Sequence, residues 1–152
     1  VTYGHLDIIK RAAGLFDDVI VAVGRNSAKN YLFSADERVD MIRTAVADIP
    51  GVSVVLLDGL LADFAQSQGC GVLVKGLRFT GDFEFELQMA QMNMHLSGVE
   101  TVLLPASPRW ATVSSTIIRE VAAYGGDVSQ FVPTSVNARI VARITARKEE
   151  ER

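Results

Sequence analysis

The chain predicts an α/β fold: a Rossmann-like parallel sheet with helices on both faces. Three observations carry this. Strand-like and helix-like segments alternate along all 152 residues, with no linker or low-complexity stretch between them. The strand-like runs are short and β-branched, as in Val19-Ile20-Val21-Ala22-Val23, the mark of strands buried on both faces. The connections that follow them carry glycines, hydroxyls and basic side chains, as in sheets that bind ligands along one edge.

A helix over 6–16 opens the chain, with Ile8, Ile9, Ala12, Ala13 and Phe16 on one face. A strand over 19–23 and a polar loop over 25–33 follow. Ser34-Ala35-Asp36-Glu37 is a capping box, in which hydroxyl and carboxylate satisfy each other's backbone N–H groups. It starts a second helix with Val39, Ile42, Ala45 and Val46 inward. The run 52–57 is the next strand, and 60–68 is a short helix ended by Gly69. A third strand over 72–74 runs into Lys75-Gly76-Leu77-Arg78. A long helix over about 82–96 is stopped by Gly98, and a fourth strand spans 101–104. After a loop with Pro105 and Pro108, Ser114-Ser115-Thr116 starts a helix that ends at Gly125-Gly126. The last helix covers 135–147 and runs into a charged, solvated tail at 147–152.

At this length the expectation is one domain over 1–152, large enough for a real core. Apolar residues make up 49% and charged residues 22%, an ordinary soluble balance. A net charge of −3 argues against a dedicated nucleic-acid surface but leaves room for local basic pockets. The single cysteine, Cys70, rules out an internal disulfide and reads as a small buried residue between glycines. No apolar run reaches the roughly 18 residues that span a bilayer, and no signal peptide is visible. A cytoplasmic protein with no membrane partner is expected.

Right-handed crossovers bring the loops after the strands to one edge of the sheet. Thr2 to His5, Lys29, Lys75 to Arg78, and the segment Trp110, Ala111, Thr112, Val113, Ser114, Ser115 and Thr116 all fall there. With Arg109 and two helix N-termini, this is a local excess of positive charge in an acidic protein, which suits a polyanionic substrate. Thr2-Tyr3-Gly4-His5 fits a nucleotide phosphate: glycine permits close approach, the first turn carries free N–H groups, and histidine adds a donor. Gly76 also permits a tight approach to ligand.

Each residue also has a plainer reading. His5 can be a cap, Lys29 a solvated loop residue, and Ser114-Ser115-Thr116 no more than an N-cap. His95 lies within a helix and reads as structural. Asp82, Glu84 and Glu86 suit a helix start without any function. Met89, Met92 and Met94 are spaced too unevenly for one face, so some are exposed or at an interface. No G-x-x-x-x-G-K-[ST] or G-x-S-x-G occurs, which leaves Walker A binding and serine hydrolysis unsupported.

Together these stretches resemble phosphopantetheine adenylyltransferase of bacterial coenzyme A biosynthesis, over essentially the whole chain. Thr2-Tyr3-Gly4-His5 looks like that family's T-x-G-H, and Ser114-Ser115-Thr116-Ile117-Ile118-Arg119-Glu120 resembles its second nucleotide motif. Both recur among nucleotidylyltransferases. The specific match is Lys75-Gly76-Leu77-Arg78 followed by Asp82-Phe83-Glu84-Phe85-Glu86-Leu87-Gln88-Met89-Ala90-Gln91-Met92-Asn93. Asn26-Ser27-Ala28-Lys29, Phe33 and Asp36-Glu37-Arg38 also fit in order and spacing.

The resemblance implies that ATP and 4′-phosphopantetheine give dephospho-coenzyme A and pyrophosphate, with Mg²⁺, in a homohexamer. By similarity His5, Lys29 and Arg78 are catalytic. ATP is held by His5, Gly76, Leu77, Arg78, Glu86, Trp110, Ala111, Thr112, Val113, Ser114, Ser115 and Thr116, and phosphopantetheine by Lys29, Leu61 and Lys75. No residue is assigned to a metal. Other family members carry Arg where Lys75 stands, so the charge is kept and the fork lost. The family's opening strand and loop would precede Val1; without them a central gap in the sheet is expected.

The alternatives are a nicotinamide-mononucleotide enzyme, a class I aminoacyl-tRNA synthetase and a regulator without catalysis. The first shares only the end motifs and not the 75–93 run. The second needs a longer chain with a Lys-Met-Ser-Lys-Ser signature. The third could dispense with His5.

Overall fold

A computed structural model describes residues 1–25 and 31–150, so Lys29 and its neighbours Asn26, Ser27 and Ala28 lie outside the described residues. The elements run α1 (Tyr3–Ala13), β1 (Val19–Gly24), α2 (Ala35–Val46), β2 (Val52–Leu57), α3 (Leu61–Ser67), β3 (Val72–Leu77), α4 (Thr80–Ser97), β4 (Glu100–Pro105), α5 (Ser115–Ala123) and α6 (Thr134–Glu150). The predicted alternation is present from α1 to α5, and α6 follows α5 without an intervening strand.

Caps decide where the helices begin. α2 starts at its predicted capping box: the Ser34 N–H donates to Glu37 Oε2 at 2.8 Å, and the Glu37 N–H to Ser34 Oγ at 3.1 Å. α1 starts earlier than predicted, because Thr2 and His5 form the same device. The Thr2 N–H donates to His5 Nδ1 at 3.1 Å, and the His5 N–H to Thr2 Oγ1 at 3.4 Å. Histidine takes the place usually held by Glu or Gln, so the familiar spacing signal is absent. α4 closes on Gly98, whose φ of 71° is the left-handed conformation that glycine accepts readily.

β1 pairs in parallel with β2, from Val19 opposite Val52 to Gly24 opposite Leu57. β3 pairs in parallel with β4, from Val72 opposite Glu100 to Leu77 opposite Pro105. These are two separate two-stranded ladders rather than one continuous sheet, and α1 packs against both β1 and β3 to join the halves. Strands buried on both faces are therefore found only in part. In β1 only Val23 is fully buried, because a strand paired on one side keeps an open edge.

Gly76 marks the contact between α1 and β3. A Cβ there would stand 2.9 Å from Ile8 Cγ1 and 3.3 Å from Cδ1. Ile8 occupies the direction a Cβ would take, while Gly76 itself stays exposed. Gly76→Val is expected to lower stability by about 1–3 kcal/mol, since β-branched Ile8 has little rotameric room to yield. A fall in the urea midpoint at constant slope would show it; an unchanged midpoint would mean that α1 repacks freely.

One core cluster, built around Leu6, Val23, Val39, Val46 and Val54, lies between α1, β1, α2 and β2. A second joins α5 and α6 through Ile118, Ala122, Val132, Val136 and Ile140. Both touch Val1, so the start of α1 is held from two sides.

Candidate active site

His5 stands at the first turn of α1 with its ring orientation set by the cap. Because the Thr2 backbone N–H can only donate, Nδ1 must be an acceptor, and the proton of the neutral ring sits on Nε2. The residue keeps an exposed side. Burial of the ring by protein, with a further contribution from Arg78, pushes its pKa from 6.5 down to about 4. At neutral pH the imidazole is thus an uncharged donor with a defined tautomer.

This has a pH consequence. Between about pH 6.5 and 4 the unfolded chain binds a proton at His5 that the folded chain refuses. Stability contributed here is complete above that window and is lost as the pH falls through it. The His5 ring resonances are expected to titrate with a midpoint below 5; a midpoint near 6.5 would contradict the neutral donor.

The helix start itself offers less than the sequence suggested. The Tyr3 N–H donates to Phe131 O at 2.9 Å and the His5 N–H to Thr2 Oγ1, so among the first-turn groups the Gly4 N–H is the one left over. The capping box takes the His5 N–H and Phe131 the Tyr3 N–H, so two of the first-turn donors are already used within the protein.

Lys75 and Gly76 lie within β3 rather than after it, with Leu77 at its end and Arg78 just beyond. Arg78 is held by Asp82 through two hydrogen bonds, Nε to Oδ2 at 3.0 Å and Nη2 to Oδ1 at 3.2 Å. The Arg78 bond keeps the Asp82 carboxyl below its usual pKa. Lys75 Nζ stands 3.6 Å from Glu86 Oε2, a buried oxygen without a hydrogen-bond partner. The acidic residues of α4 therefore do more than favour a helix start: two of them hold the two cations of the β3 edge. The i, i+4 spacing of Arg78 and Asp82 was a signal for the first pair. Nothing in the spacing of Lys75 and Glu86 announces the second.

The loop after β4 meets the start of α1. Trp110 packs on Tyr3 with ring centroids 5.3 Å apart, and its Cβ lies where a Cβ on Gly4 would touch it. The Arg109 guanidinium stacks on the other partner ring, 4.6 Å from the Trp110 centroid. Ala111 is half-buried and Thr112 exposed, whereas the Val113 side chain is buried in the α5–α6 core, leaving only its backbone toward the edge. Ser114 caps α5, its Oγ accepting the Ile117 N–H at 3.2 Å, and Ser115 and Thr116 are exposed. Arg119, which the charge count of the edge omitted, reaches back to Ser115 O at 3.2 Å and Thr116 Oγ1 at 3.4 Å.

The structure thus sets Trp110 against the α1 start that carries His5, with Arg78 within electrostatic reach of His5 and Lys75 paired with Glu86 on the adjoining strand and helix. Leu61 begins α3, half-buried against the Ala65, Leu73 and Val99 cluster. A cleft of about 410 Å³ lies apart from these residues, between the segment before α2 and the second half of α6, lined by Arg25, Tyr31, Phe33, Arg38 and Arg143. No group of three His, Cys, Asp or Glu suited to a metal ion occurs among the described residues. None of the described helices is long and apolar enough to cross a membrane.

Known proteins resemble this chain in sequence. A family model described as cytidylyltransferase-like matches residues 1–121. Over 143 residues the chain is 54% identical to the phosphopantetheine adenylyltransferase of Cutibacterium acnes, covering 94% of this chain and 91% of that one. It is 50% identical over 146 residues to the enzyme of that name from Nocardioides, covering 96% and 92%. For the one from Pseudarthrobacter chlorophenolicus the identity is 53% over 140 residues, covering 91% and 84%. With its parallel strands, its helix-start histidine and these matches, the chain belongs to the cytidylyltransferase-like family and, within it, to the phosphopantetheine adenylyltransferases.

Proposed function

We propose that this chain transfers the adenylyl group of ATP to 4′-phosphopantetheine, giving dephospho-coenzyme A and pyrophosphate. The observation that carries the chemistry is His5, held neutral with its Nε2 proton available and close enough to Arg78 to feel its charge. The acceptor follows from relatives sharing that one name over 91–96% of the chain.

A phosphate monoester has a second pKa of about 6, so near pH 7 the acceptor is largely dianionic and needs no protein base. One of its oxygens attacks the α-phosphorus in line. The bond from that phosphorus to the β-bridging oxygen breaks, and pyrophosphate leaves with the electron pair. The protein's part is positioning and charge stabilisation. His5 donates from Nε2 to a phosphate oxygen as charge builds, and Arg78 exchanges its Asp82 partner for phosphate. Gly76, Leu77, Glu86, Trp110, Ala111, Thr112, Val113, Ser114, Ser115 and Thr116 complete the nucleotide site. Lys75, Lys29 and Leu61 hold the acceptor.

Mg²⁺ would enter as a companion of the triphosphate, because this ion usually keeps phosphate and water ligands. When bound it supplies neutralisation of the β- and γ-phosphates. A cytoplasmic setting and a homohexamer belong to the same reading. α4 supports self-association: Phe85, Met92 and Leu96 are each more than half exposed, and Phe83, Met89 and Met94 also face outward.

The test is pyrophosphate release from ATP with phosphopantetheine, nicotinamide mononucleotide or glycerol 3-phosphate offered separately. Release with phosphopantetheine alone is expected. Release only with nicotinamide mononucleotide would overturn the acceptor, and ATP binding without release under all three would mean a regulator.

A further inference from the structure

Two side chains of α1 that no motif singles out hold the loop after β4. Arg11 Nη1 donates to Pro105 O at 2.6 Å and to Asp7 Oδ2 at 3.3 Å. The same Asp7 oxygen accepts the Ser107 N–H at 3.4 Å. From Ser107 the loop is tied together internally: the Trp110 N–H donates to Ser107 O at 2.8 Å, and the Val113 N–H to Trp110 O at 3.0 Å. At its far side Trp110 rests on Tyr3 and faces Gly4. The loop is therefore fastened to α1 at two points, one at the helix start and one a turn or two further along. His5 lies between them in sequence.

By spacing alone Asp7 and Arg11 read as an ordinary i, i+4 surface pair. Their exposure decides against a role in stability: the Arg11 side chain is 41% accessible and the Asp7 side chain 20%. An ion pair this open to solvent contributes little to folding. What sets it apart is where its remaining hydrogen bonds go. Both reach backbone atoms about a hundred positions later in the chain, on the segment that leads to Trp110 and the α5 start.

We propose that Asp7 and Arg11 are positioning residues that register the β4–α5 loop against His5, so that imidazole and loop engage the same nucleotide together. The inference rests on the adenylyltransferase reading for the identity of that nucleotide. Its physical basis is that loop freedom must be lost on binding unless it has been lost already. A loop pinned at Pro105 and Ser107 meets ATP in place.

The experiment compares Arg11→Ala, Arg11→Lys and Asp7→Asn in the full chain. Affinity for a non-hydrolysable ATP analogue is read by calorimetry, thermal midpoint by calorimetric scan, and KM for each substrate by turnover. Arg11→Ala is expected to weaken analogue binding by about tenfold, the scale of a lost orientation, with the KM for phosphopantetheine changed less than twofold. The thermal midpoint should move little. Arg11→Lys should recover part of the affinity, because an ammonium can still donate to Pro105 O. Asp7→Asn should weaken analogue binding as well, since it loses the carboxylate that Arg11 and Ser107 share. Unchanged analogue affinity in both Arg11→Ala and Asp7→Asn would overturn the proposal. So would equal losses for both substrates together with a large drop in thermal midpoint, which would mark a structural pair. Binding of the analogue is measured without an acceptor, so failure of phosphopantetheine as substrate would leave this result standing.

Discussion

His5→Ala is expected to lower turnover by about 10²–10³-fold while leaving ATP binding in place, the scale of one lost transition-state donor. The reason lies in what the imidazole is before substrate arrives. It is neutral at working pH, its tautomer is chosen by the Thr2 N–H, and it needs no reorganisation to donate. Such a donor gains most as negative charge builds on the transferring phosphate, so its loss falls on kcat rather than on KM. His5 is also half of the α1 capping box, and removing a cap costs about 0.5–2 kcal/mol. His5→Gln separates the two effects. Glutamine at this position can accept the Thr2 N–H and keep the helix start, while lacking the imidazole. A slow, stable His5→Gln enzyme would confirm the chemical role. Near-wild-type turnover in His5→Ala would remove it.

Arg78→Ala is expected to be comparably severe, about 10²–10³-fold in kcat/KM for ATP, because the guanidinium is a side-chain cation whose charge reaches His5. In the structure its fork is filled by Asp82, which keeps it extended and oriented at the end of β3. A phosphate that replaces this carboxylate meets a donor already in place. A second measurement distinguishes this from a general loss of structure. Arg78 contributes to lowering the His5 pKa, so its removal should raise that pKa slightly above about 4, burial still holding it well below 6.5. An Arg78→Ala enzyme that is slow but leaves the His5 titration untouched would show that the two side chains do not share a site. Arg78→Lys keeps the charge and loses the fork, so it should retain the His5 shift and recover only part of the rate.

Much of this was readable along the chain. The strand 52–57 and the start of α2 at Ser34 follow from local patterns, a β-branched run and a hydroxyl three residues before a glutamate. The run from Lys75 to Asn93 pointed to one family and the relatives agree. The departures have local causes. α1 begins at Tyr3 because a histidine does the work of a capping glutamate, which no spacing rule anticipates. β3 continues through Lys75 and Gly76 because its ladder to β4 outlasts the apolar run. Gly76 is small for the sake of Ile8, a residue far away in sequence, and Val113 faces the core although its neighbours face outward.

What the sequence by itself determined is the order and type of the elements and the family, and it nominated the residues proposed for phosphate chemistry. Those depend on periodicity, caps and residue identity, all of which act over a few neighbours. Only the tertiary structure decided the rest: the register of each ladder, the neutral state of His5, the binding of Lys75 and Arg78 by α4 carboxylates, and the fastening of the β4–α5 loop by Asp7 and Arg11. Each of these arises from groups distant in sequence meeting in space, where desolvation, Coulomb attraction and hydrogen-bond direction first come into play.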